Sequence, residues 1–335
     1  MDTKRVRALI PRMRRQTSKL LDECTYTGTL VDATCSGCSC DFWFHQVDTS
    51  CKRPVVIALH GGGFALGDAR KGDPMHECVK DAFNVHVASV GYRLAPENPF
   101  PAALDDVQSV MGYLVSHAPS LHIDVERIYL LGFSAGANLA LATCLSLQDA
   151  SQEASSLPQP AGLVLHYPFL DAHEKPNSDG RDIDVPFDLM VAFNEFYTAG
   201  ADSANPLISP ALATDEQLMR LPRIFAFPVE GDTLAPSCHR FCNRMRTLGL
   251  PVHEQLVKGQ YHGYIEDAAN LPVYLASTMT GTILSRSHDF FEAAWRILFA
   301  SLADCLGVPE PCVVIPREGM GELKAVYASV RGEDT

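Results

Sequence analysis

The sequence has little positive charge and no apolar run long enough to cross a membrane. It carries 27 Lys and Arg residues against 40 Asp and Glu residues, for a formal net charge of −13. This balance excludes a nucleic-acid partner, because neutralising phosphates takes clustered basic side chains. A membrane-spanning helix takes about 20 mostly apolar residues, and the longest weakly polar stretches, such as Leu271 to Leu284, are shorter. The ligand expected is a small molecule that is not strongly anionic.

The N-terminus lacks the apolar core of a secretory signal, and the cysteine count of 11 is odd. Both features favour a reducing compartment in which most thiols stay free, so the sequence predicts a cytoplasmic protein. Cys35-x-x-Cys38-x-Cys40 resembles half of a zinc site, but no second pair of ligands follows at zinc-finger spacing. We interpret it as a Cys-rich loop and predict no metal site.

Residues 4–19 carry seven basic side chains and no acidic one. Apolar residues recur at helical spacing from Val6 to Leu9 or Ile10 and onward, which predicts an amphipathic helix. Two interpretations stay open: a mitochondrial transit peptide, or a helix that covers an active site as part of a cap. Pro11 and the absence of a Ser-rich spacer favour the cap.

Most of the chain alternates between short apolar runs and helical patterns. The apolar runs are typical of strands buried on both faces. They are Val55–Leu59, Val85–Val90, Ile128–Leu131, Gly162–His166, Ile224–Phe227 and Val252–Val257. Helices are predicted at Lys71–Phe83, Pro101–His117, Ala135–Leu147, Pro236–Leu248 and Phe290–Cys305, and antiparallel edge strands at Tyr26–Val31 and Asp41–Val47. This order predicts a mainly parallel sheet with helices on both faces.

We expect residues 1–335 to form a single domain with three additions. Residues 171–220 make a long excursion between two predicted strands, and an excursion of that length usually carries structure of its own. We interpret it as a lid that forms a cap together with residues 1–25. An insertion follows at 265–287, and a tail occupies 307–335.

The segment from Gly132 to Gly136 joins a predicted strand to a predicted helix and reads Gly-x-Ser-x-Gly. In this context the serine sits on a sharp turn with its hydroxyl above the sheet, and larger flanking side chains would clash in the bend. Ser134 is therefore a candidate nucleophile. It needs a base to take its proton and an acid to orient that base.

Candidates for the base and the acid follow the nucleophile in the order that such sheets use, first the acid and then the histidine, each after a strand. Asp232 follows the strand that ends near Val229 and is the predicted acid, with Glu230 as its competitor. His262 lies on the loop after the next strand, beside Gly263, and is the predicted base.

A glycine loop, His60-Gly-Gly-Gly-Phe64, directly follows the strand Val55–Leu59. Backbone N–H groups in such a loop can turn toward one point, where they would stabilise the oxyanion that forms when serine attacks a carbonyl. The predicted donors are the N–H groups of Gly61, Gly62, Gly63 and Ala135. A phosphate-binding loop is disfavoured, because no Lys-Ser/Thr pair follows the glycines.

Four motifs together resemble the hormone-sensitive-lipase family of α/β-hydrolases. They are His60-Gly-Gly-Gly-Phe64, Gly91-Tyr-Arg-Leu-Ala-Pro-Glu97, Phe100-Pro-Ala-Ala-Leu-Asp-Asp106 and Gly132-x-Ser-Ala-Gly136, and the match runs from about Pro54 to Tyr264. The resemblance implies an α/β-hydrolase fold with a mostly parallel central sheet and a helical cap. It also implies hydrolysis of smallish carboxylic esters through an acyl-enzyme, without a metal or a cofactor.

The resemblance extends to residues around the site. It implies that Arg93, Glu97 and Asp105 or Asp106 support the glycine loop and the nucleophile turn. Phe64, Phe133 and Tyr167 are assigned to the substrate pocket, although Tyr167 would equally be explained as the residue that ends a strand.

The sequence departs from the family pattern at three places. Phe133 stands where many relatives have Asp or Thr, and Thr233 stands where relatives commonly have Pro after the acid. The insertion at 265–287 separates the histidine loop from the final helix, which in relatives follows almost directly.

The leading hypothesis is therefore a serine carboxylic-ester hydrolase that acts on a small-molecule ester. Two alternatives stay open on the same scaffold, because fold alone does not settle function. One is a biosynthetic enzyme that performs cyclisation, elimination or acyl transfer, and the other is a non-catalytic small-molecule receptor. A homodimer built through the insertion or the tail also stays open.

Overall fold

The computed structural model describes residues 3–22, 26–33, 40–148, 157–174, 187–269 and 288–309. Its strands are β1 Thr29–Asp32, β2 Asp41–His45, β3 Arg53–Leu59, β4 His86–Gly91, β5 Ile123–Phe133, β6 Gly162–His166, β7 Arg223–Phe227 and β8 Val252–Glu254. They form one sheet in the order β1-β2-β4-β3-β5-β6-β7-β8. The pairs β1/β2 and β2/β4 are antiparallel and all others are parallel.

The helices are α1 Thr3–Asp22, α2 Asp73–Phe83, α3 Ala102–Ser116, α4 Ala118–Leu121, α5 Ala135–Ser146, α6 Phe187–Thr198, α7 Asp215–Leu218, α8 Ala235–Thr247, α9 Tyr264–Ala269 and α10 His288–Leu306, with a 3₁₀ turn at Pro210–Leu212. The two faces of the sheet bury separate cores. On β3, Val55 and Ile57 belong to the core packed by α3, α5 and α8. Val56 and Ala58 belong to the other core, packed by α2 and α10. Alternate side chains of a strand point to opposite faces, which explains why this strand is apolar throughout.

The mainly parallel sheet and its edge strands are confirmed, with shifted ends. β5 begins at Ile123, earlier than the apolar run suggested, because an irregularity between Arg53 and Val55 lets Arg53 pair with Ile123. β8 ends at Glu254, and a single bridge between Val229 and Val257 continues the pairing toward the site. Most of the predicted insertion and tail, 270–287 and 310–335, lies outside the described residues.

The amphipathic helix predicted at the N-terminus is α1, and it packs against α6 on one side of the molecule. Val6 and Ile10 are buried with Phe193 and Phe196 of α6. Leu9 is 36% exposed, so Ile10, the other residue considered, completes the apolar stripe. We call these two helices the α1–α6 layer.

Arg14 of α1 ties this layer to the loops beneath it. Its Nε donates to Ala65 O at 2.8 Å, and one terminal nitrogen pairs with Glu97 at 2.8 Å. A second terminal nitrogen donates to Ala95 O. Because both carbonyls lie on loops that border the glycine loop, α1 is held over that part of the molecule. Glu97 thus serves the layer rather than the glycine loop itself.

No helix in the described ranges combines the length and the apolar composition that a membrane crossing requires. Cys35 and Cys38, of the predicted Cys-rich loop, lie outside those ranges. Cys40 is buried at the start of β2, and its Sγ lies 3.6 Å from Asp41 O and 3.7 Å from Gly91 O.

His166 at the end of β6 is fully buried and neutral. Its Nε2 donates to Ser301 Oγ at 3.2 Å, since that hydroxyl gives its own hydrogen to Leu298 O. The Tyr264 hydroxyl donates to Nδ1 at 3.3 Å. Burial lowers the pKa of His166 from 6.5 to about 3, because an imidazolium would lose its hydration there.

We expect His166 to make the protein acid-sensitive. Since the pKa is lowered on folding, the unfolded chain takes up the proton first, so this stabilisation is complete above about pH 6.5 and is lost as the pH falls toward 3. Between those limits His166 should reduce the free energy of unfolding by about 1.4 kcal/mol per pH unit. Urea unfolding from pH 7 to pH 5 should show a shallower slope for His166→Gln. The exposed His253→Gln should match the wild type, and equal slopes for all three proteins would contradict the assignment.

Candidate active site

The turn between β5 and α5 holds Ser134 in a strained conformation. Its φ is 51° and its ψ is −112°, a region that non-glycine residues rarely adopt. The Ser134 N–H donates to His166 O at 3.0 Å, and the Phe169 N–H donates to Ser134 O at 3.3 Å. These bonds to the end of β6 and to the segment that follows it keep the turn in place.

Both glycines of the motif are required by close approach. A Cβ on Gly132 would lie 2.5 Å from Ala137 Cα, and one on Gly136 would lie 2.0 Å from Leu59 O. The expected clash of larger side chains in this bend is confirmed. The start of α5 therefore lies directly against the end of β3.

Three predicted residues meet in one chain of hydrogen bonds. Ser134 Oγ lies 2.9 Å from His262 Nε2, and His262 Nδ1 lies 2.8 Å from Asp232 Oδ2. A carboxylate only accepts, so Nδ1 carries the hydrogen, and in the neutral ring Nε2 is left to accept from the serine hydroxyl. All three side chains are largely buried.

Asp232 is positioned by its own loop. The Leu234 N–H donates to Asp232 Oδ1 at 3.0 Å, which leaves Oδ2 for His262. The competitor Glu230 is exposed and pairs with Lys258 at 3.7 Å. Of the two acids considered, only Asp232 contacts the histidine within the described structure.

Two peptide planes of the glycine loop are held from their carbonyl sides. His60 Nδ1 donates to Gly61 O at 2.8 Å, and the Leu66 N–H donates to Gly62 O at 2.9 Å. A trans peptide is planar, so its N–H points away from its C=O. These bonds therefore orient the N–H groups of Gly62 and Gly63. Positive φ values of 123° and 59° explain why both positions are glycine.

His60 suits this role because it is neutral. Burial lowers the pKa of His60, and a neutral ring that faces a carbonyl with Nδ1 must carry its hydrogen there. Tyr92 holds the ring from the other side, with ring centroids 4.1 Å apart, and its hydroxyl donates to His60 O at 2.7 Å.

The four predicted oxyanion donors are not equivalent. Among the described residues, no acceptor faces the N–H groups of Gly62, Gly63 or Ala135. The Gly61 N–H differs, because it donates to Glu266 Oε1 at 2.8 Å. An engaged N–H is not available to a substrate, so this bond favours a supporting role for Gly61 over the predicted role of oxyanion donor.

Sequence reasoning missed Glu266. It lies on α9, four residues after His262, and its carboxylate is buried against the glycine loop. The one sequence signal was an acidic pair, Glu266-Asp267, close after the histidine. Nothing in that pattern indicated that the side chain reaches a loop 205 positions earlier in the chain.

Arg93 and Asp106 form the ion pair that the resemblance implied. Asp106 is fully buried and accepts from the Arg93 backbone N–H at 2.7 Å and from its Nε at 2.9 Å. Asp106, rather than Asp105, is thus the partner of Arg93. The pair joins the chain after β4 to the start of α3.

The three residues assigned to the pocket are all buried, at 2% exposure or less. Phe64 stacks on Tyr197 of α6, with centroids 3.6 Å apart. Phe133 lies in the core, with its ring centroid 5.7 Å from that of His166. The Tyr167 ring lies 5.0 Å from the His262 ring. Tyr167 therefore supports the histidine, and contact of these residues with substrate stays a prediction.

Cys238, Cys242 and Glu254 bring possible metal-ligand atoms within 4.8 Å of one another. Both thiols are buried on α8, and the pKa of Cys238 is raised by its hydrogen bond with Cys242 and by burial. Glu254 already pairs with His239 and Arg246. A carboxylate that two side chains already engage and a Cys238 thiol with a raised pKa make a poor cation site.

Comparison with known proteins agrees with this architecture. A family model described as alpha/beta hydrolase fold matches residues 56–266. Esterase LipI of Mycobacterium tuberculosis is 28% identical over 73% of this chain and 76% of its own length. An arylesterase of Saccharolobus solfataricus is 30% identical over 63% of this chain and 68% of its own. An esterase structure from Pyrobaculum calidifontis shares the fold, with a TM-score of 0.71 and 24% identity over 91% of this chain and 95% of that one.

The sheet order and the six parallel strands β3–β8 define the class of α/β-hydrolases. Within that class, the chain belongs to the hormone-sensitive-lipase-like family and is an esterase-type member of it. The resemblance inferred from the four motifs is thereby confirmed.

We expect Gly136→Ala to disturb the junction of α5 and β3. The added methyl would meet Leu59 O at 2.0 Å, and relieving such a clash by shifting backbone should lower the free energy of unfolding by about 2–3 kcal/mol. Gly112→Ala is the matched control. Gly112 lies in α3, and a Cβ added there would lie 3.9 Å from the Leu157 side chain, which is an ordinary contact distance. There the helix should gain about 0.5–1 kcal/mol. Urea unfolding checks both, and equal stabilities would contradict the close-approach argument.

Proposed function

We propose that this protein hydrolyses small carboxylic esters through an acyl-enzyme formed on Ser134. The observation that carries the proposal is the continuous hydrogen-bond chain from Asp232 through His262 to Ser134. It lies beside backbone N–H groups that other contacts have already oriented. The esterase names of its relatives support the same reaction class.

In acylation, Ser134 Oγ attacks the ester carbonyl carbon while His262 Nε2 takes the hydroxyl proton. The carbonyl oxygen becomes an oxyanion in a tetrahedral intermediate. The intermediate collapses by expelling the alcohol, which receives the proton from His262. In deacylation, water attacks the acyl carbon, His262 again takes and returns the proton, and the acid leaves with Ser134 restored.

The oxyanion would be bound by the N–H groups of Gly62, Gly63 and Ala135. Because their directions are set before substrate arrives, they need little reorganisation as charge develops, which is the main source of such stabilisation. Asp232 keeps the hydrogen of His262 on Nδ1 and stabilises the imidazolium that forms transiently.

We assign the cap to the α1–α6 layer. Phe193 of α6 lies directly over Gly63. A Cβ added at Gly63 would lie 2.0 Å from the Phe193 ring. Phe64, at the end of the glycine loop, stacks on Tyr197 of the same helix. These contacts support the assignment of the layer as a cap over the proposed oxyanion site, where its apolar side chains would set the size of the acyl group.

The decisive test is Ser134→Ala on a short p-nitrophenyl ester. Loss of the nucleophile should reduce kcat by about 10⁶-fold, and a fluorophosphonate should label the wild type but not the variant. Ser146→Ala is the control. Ser146 is a buried serine at the end of α5, the helix that begins directly after Ser134, and its hydroxyl is hydrogen-bonded to Gln108. It should keep both activity and labelling.

Unchanged hydrolysis by Ser134→Ala would refute the proposed mechanism. Labelling of Ser134 without turnover of any ester in a broad panel would instead favour acyl transfer or another tailoring reaction at the same serine.

We expect Asp232→Asn to reduce kcat by about 10⁴-fold while the protein stays folded. The amide can donate to His262 Nδ1 and so favour the wrong tautomer, with the hydrogen on Nε2. Glu230→Gln is the paired control, since Glu230 is exposed and pairs with Lys258. Steady-state kinetics decide: a large loss for Glu230→Gln with little for Asp232→Asn would reverse the assignment.

A further inference from the structure

We propose that Glu266 is a positioning residue that holds the oxyanion loop in its working conformation, and that Lys71 cancels its negative charge toward the reaction. This inference rests on the function proposed above and adds two residues to that site. Neither residue belongs to the Ser134, His262 and Asp232 chain.

The first part of the argument is the contact between Glu266 and the glycine loop. Glu266 Oε1 accepts from the Gly61 N–H at 2.8 Å, and the side chain is only about 7% exposed. A Cβ on Gly61 would lie 2.5 Å from Glu266 Oε2. Glycine is needed at position 61 because the carboxylate lies directly against the backbone there.

This bond completes the support of the loop. The Gly61 C=O accepts from His60 and its N–H donates to Glu266, so both peptide groups of this residue are held. The Gly62 N–H, proposed as an oxyanion donor, shares a peptide plane with the Gly61 C=O, and the Glu266 bond holds the plane just before it. Loss of the Glu266 acceptor would leave a buried N–H unsatisfied and free the loop to rotate.

The second part is electrostatic. A carboxylate beside the oxyanion site would repel the negative charge that develops on the substrate oxygen, and a dry site strengthens that repulsion. Lys71 offsets this repulsion, because its positively charged Nζ lies 3.4 Å from Glu266 Oε1. The pair offers the loop a strong acceptor without leaving net negative charge next to the reaction.

The same carboxylate also reaches the histidine side of the site. The Tyr167 hydroxyl donates to Glu266 Oε2 at 3.5 Å, and the Tyr167 ring packs on His262 at 5.0 Å between centroids. Glu266 thus links the glycine loop to the aromatic side chain that supports the base. One side chain on α9 therefore fixes the position of the glycine loop relative to Tyr167.

The test compares Lys71→Met, Glu266→Gln, the double variant of these two and Glu266→Ala, with Lys80→Met as control. Lys80 pairs with Glu77 on α2, away from the site, so that variant should behave as wild type. The readouts are kcat and KM on p-nitrophenyl acetate and the affinity of a trifluoromethyl ketone, which forms an oxyanion adduct with an active serine.

Lys71→Met should lower kcat by about 10-fold with little change in KM, because the uncompensated charge opposes only the transition state. Binding of the trifluoromethyl ketone should weaken by the same factor. Adding Glu266→Gln should recover most of the loss, since the amide oxygen still accepts from Gly61 without carrying charge. Glu266→Ala should cost about 10²-fold in kcat, as for loss of one oxyanion donor.

Additive losses in the double variant would overturn the charge argument, and wild-type kcat in folded Glu266→Ala would overturn the positioning role. Thermal melting checks that each variant is folded. Lys71→Met leaves the bond between Glu266 and Gly61 in place, so it keeps the test usable if Glu266→Ala unfolds. Failure of the inference alone would appear as inactive Ser134→Ala beside fully active Glu266 and Lys71 variants. Activity retained in Ser134→Ala would instead mean that the proposed function fails.

Discussion

The contact between the first turn of α5 and the end of β3 is the constraint on which the site depends. Gly136 lies against Leu59 O with no room for a Cβ, so the strained Ser134 turn and the glycine loop share one edge of the sheet. Parallel strands end at the same edge, and β7 and β8 therefore deliver Asp232 and His262 to the same place. A wider separation at Gly136 would leave the hydroxyl and the loop amides on separate surfaces.

The supports of the glycine loop show how a flexible sequence becomes a rigid one. Three glycines in succession carry little conformational preference, and their order comes from neighbours: His60 and Glu266 on Gly61, and Leu66 on Gly62. Burial keeps the His60 ring neutral, which fixes the atom that donates. The loop amides are thus directed by hydrogen bonds on the far side of each peptide plane.

Family membership accounts for the reaction class, whereas we propose that the α1–α6 layer governs which substrates can enter the site. The α1–α6 layer rests on the loops through Arg14, and Phe193 closes over Gly63. The four shared motifs lie between His60 and Gly136, outside both helices of this layer. Selectivity for an acyl group would then come from apolar side chains on two helices far apart in sequence.

Much of this architecture could be predicted from the sequence because its causes are local. Apolar runs bounded by turn residues indicated the parallel strands, and Gly-x-Ser-x-Gly after such a run indicated the turn at Ser134. Chain order selected Asp232 and His262 before any distance was known. What only the tertiary structure decided depends on distant contacts: the choice of Asp106 over Asp105, the burial of Phe133 in the core, and the engagement of the Gly61 N–H by Glu266. A side chain on α9 reaches a loop two hundred positions earlier because the sheet brings their backbones together, and no local pattern records that.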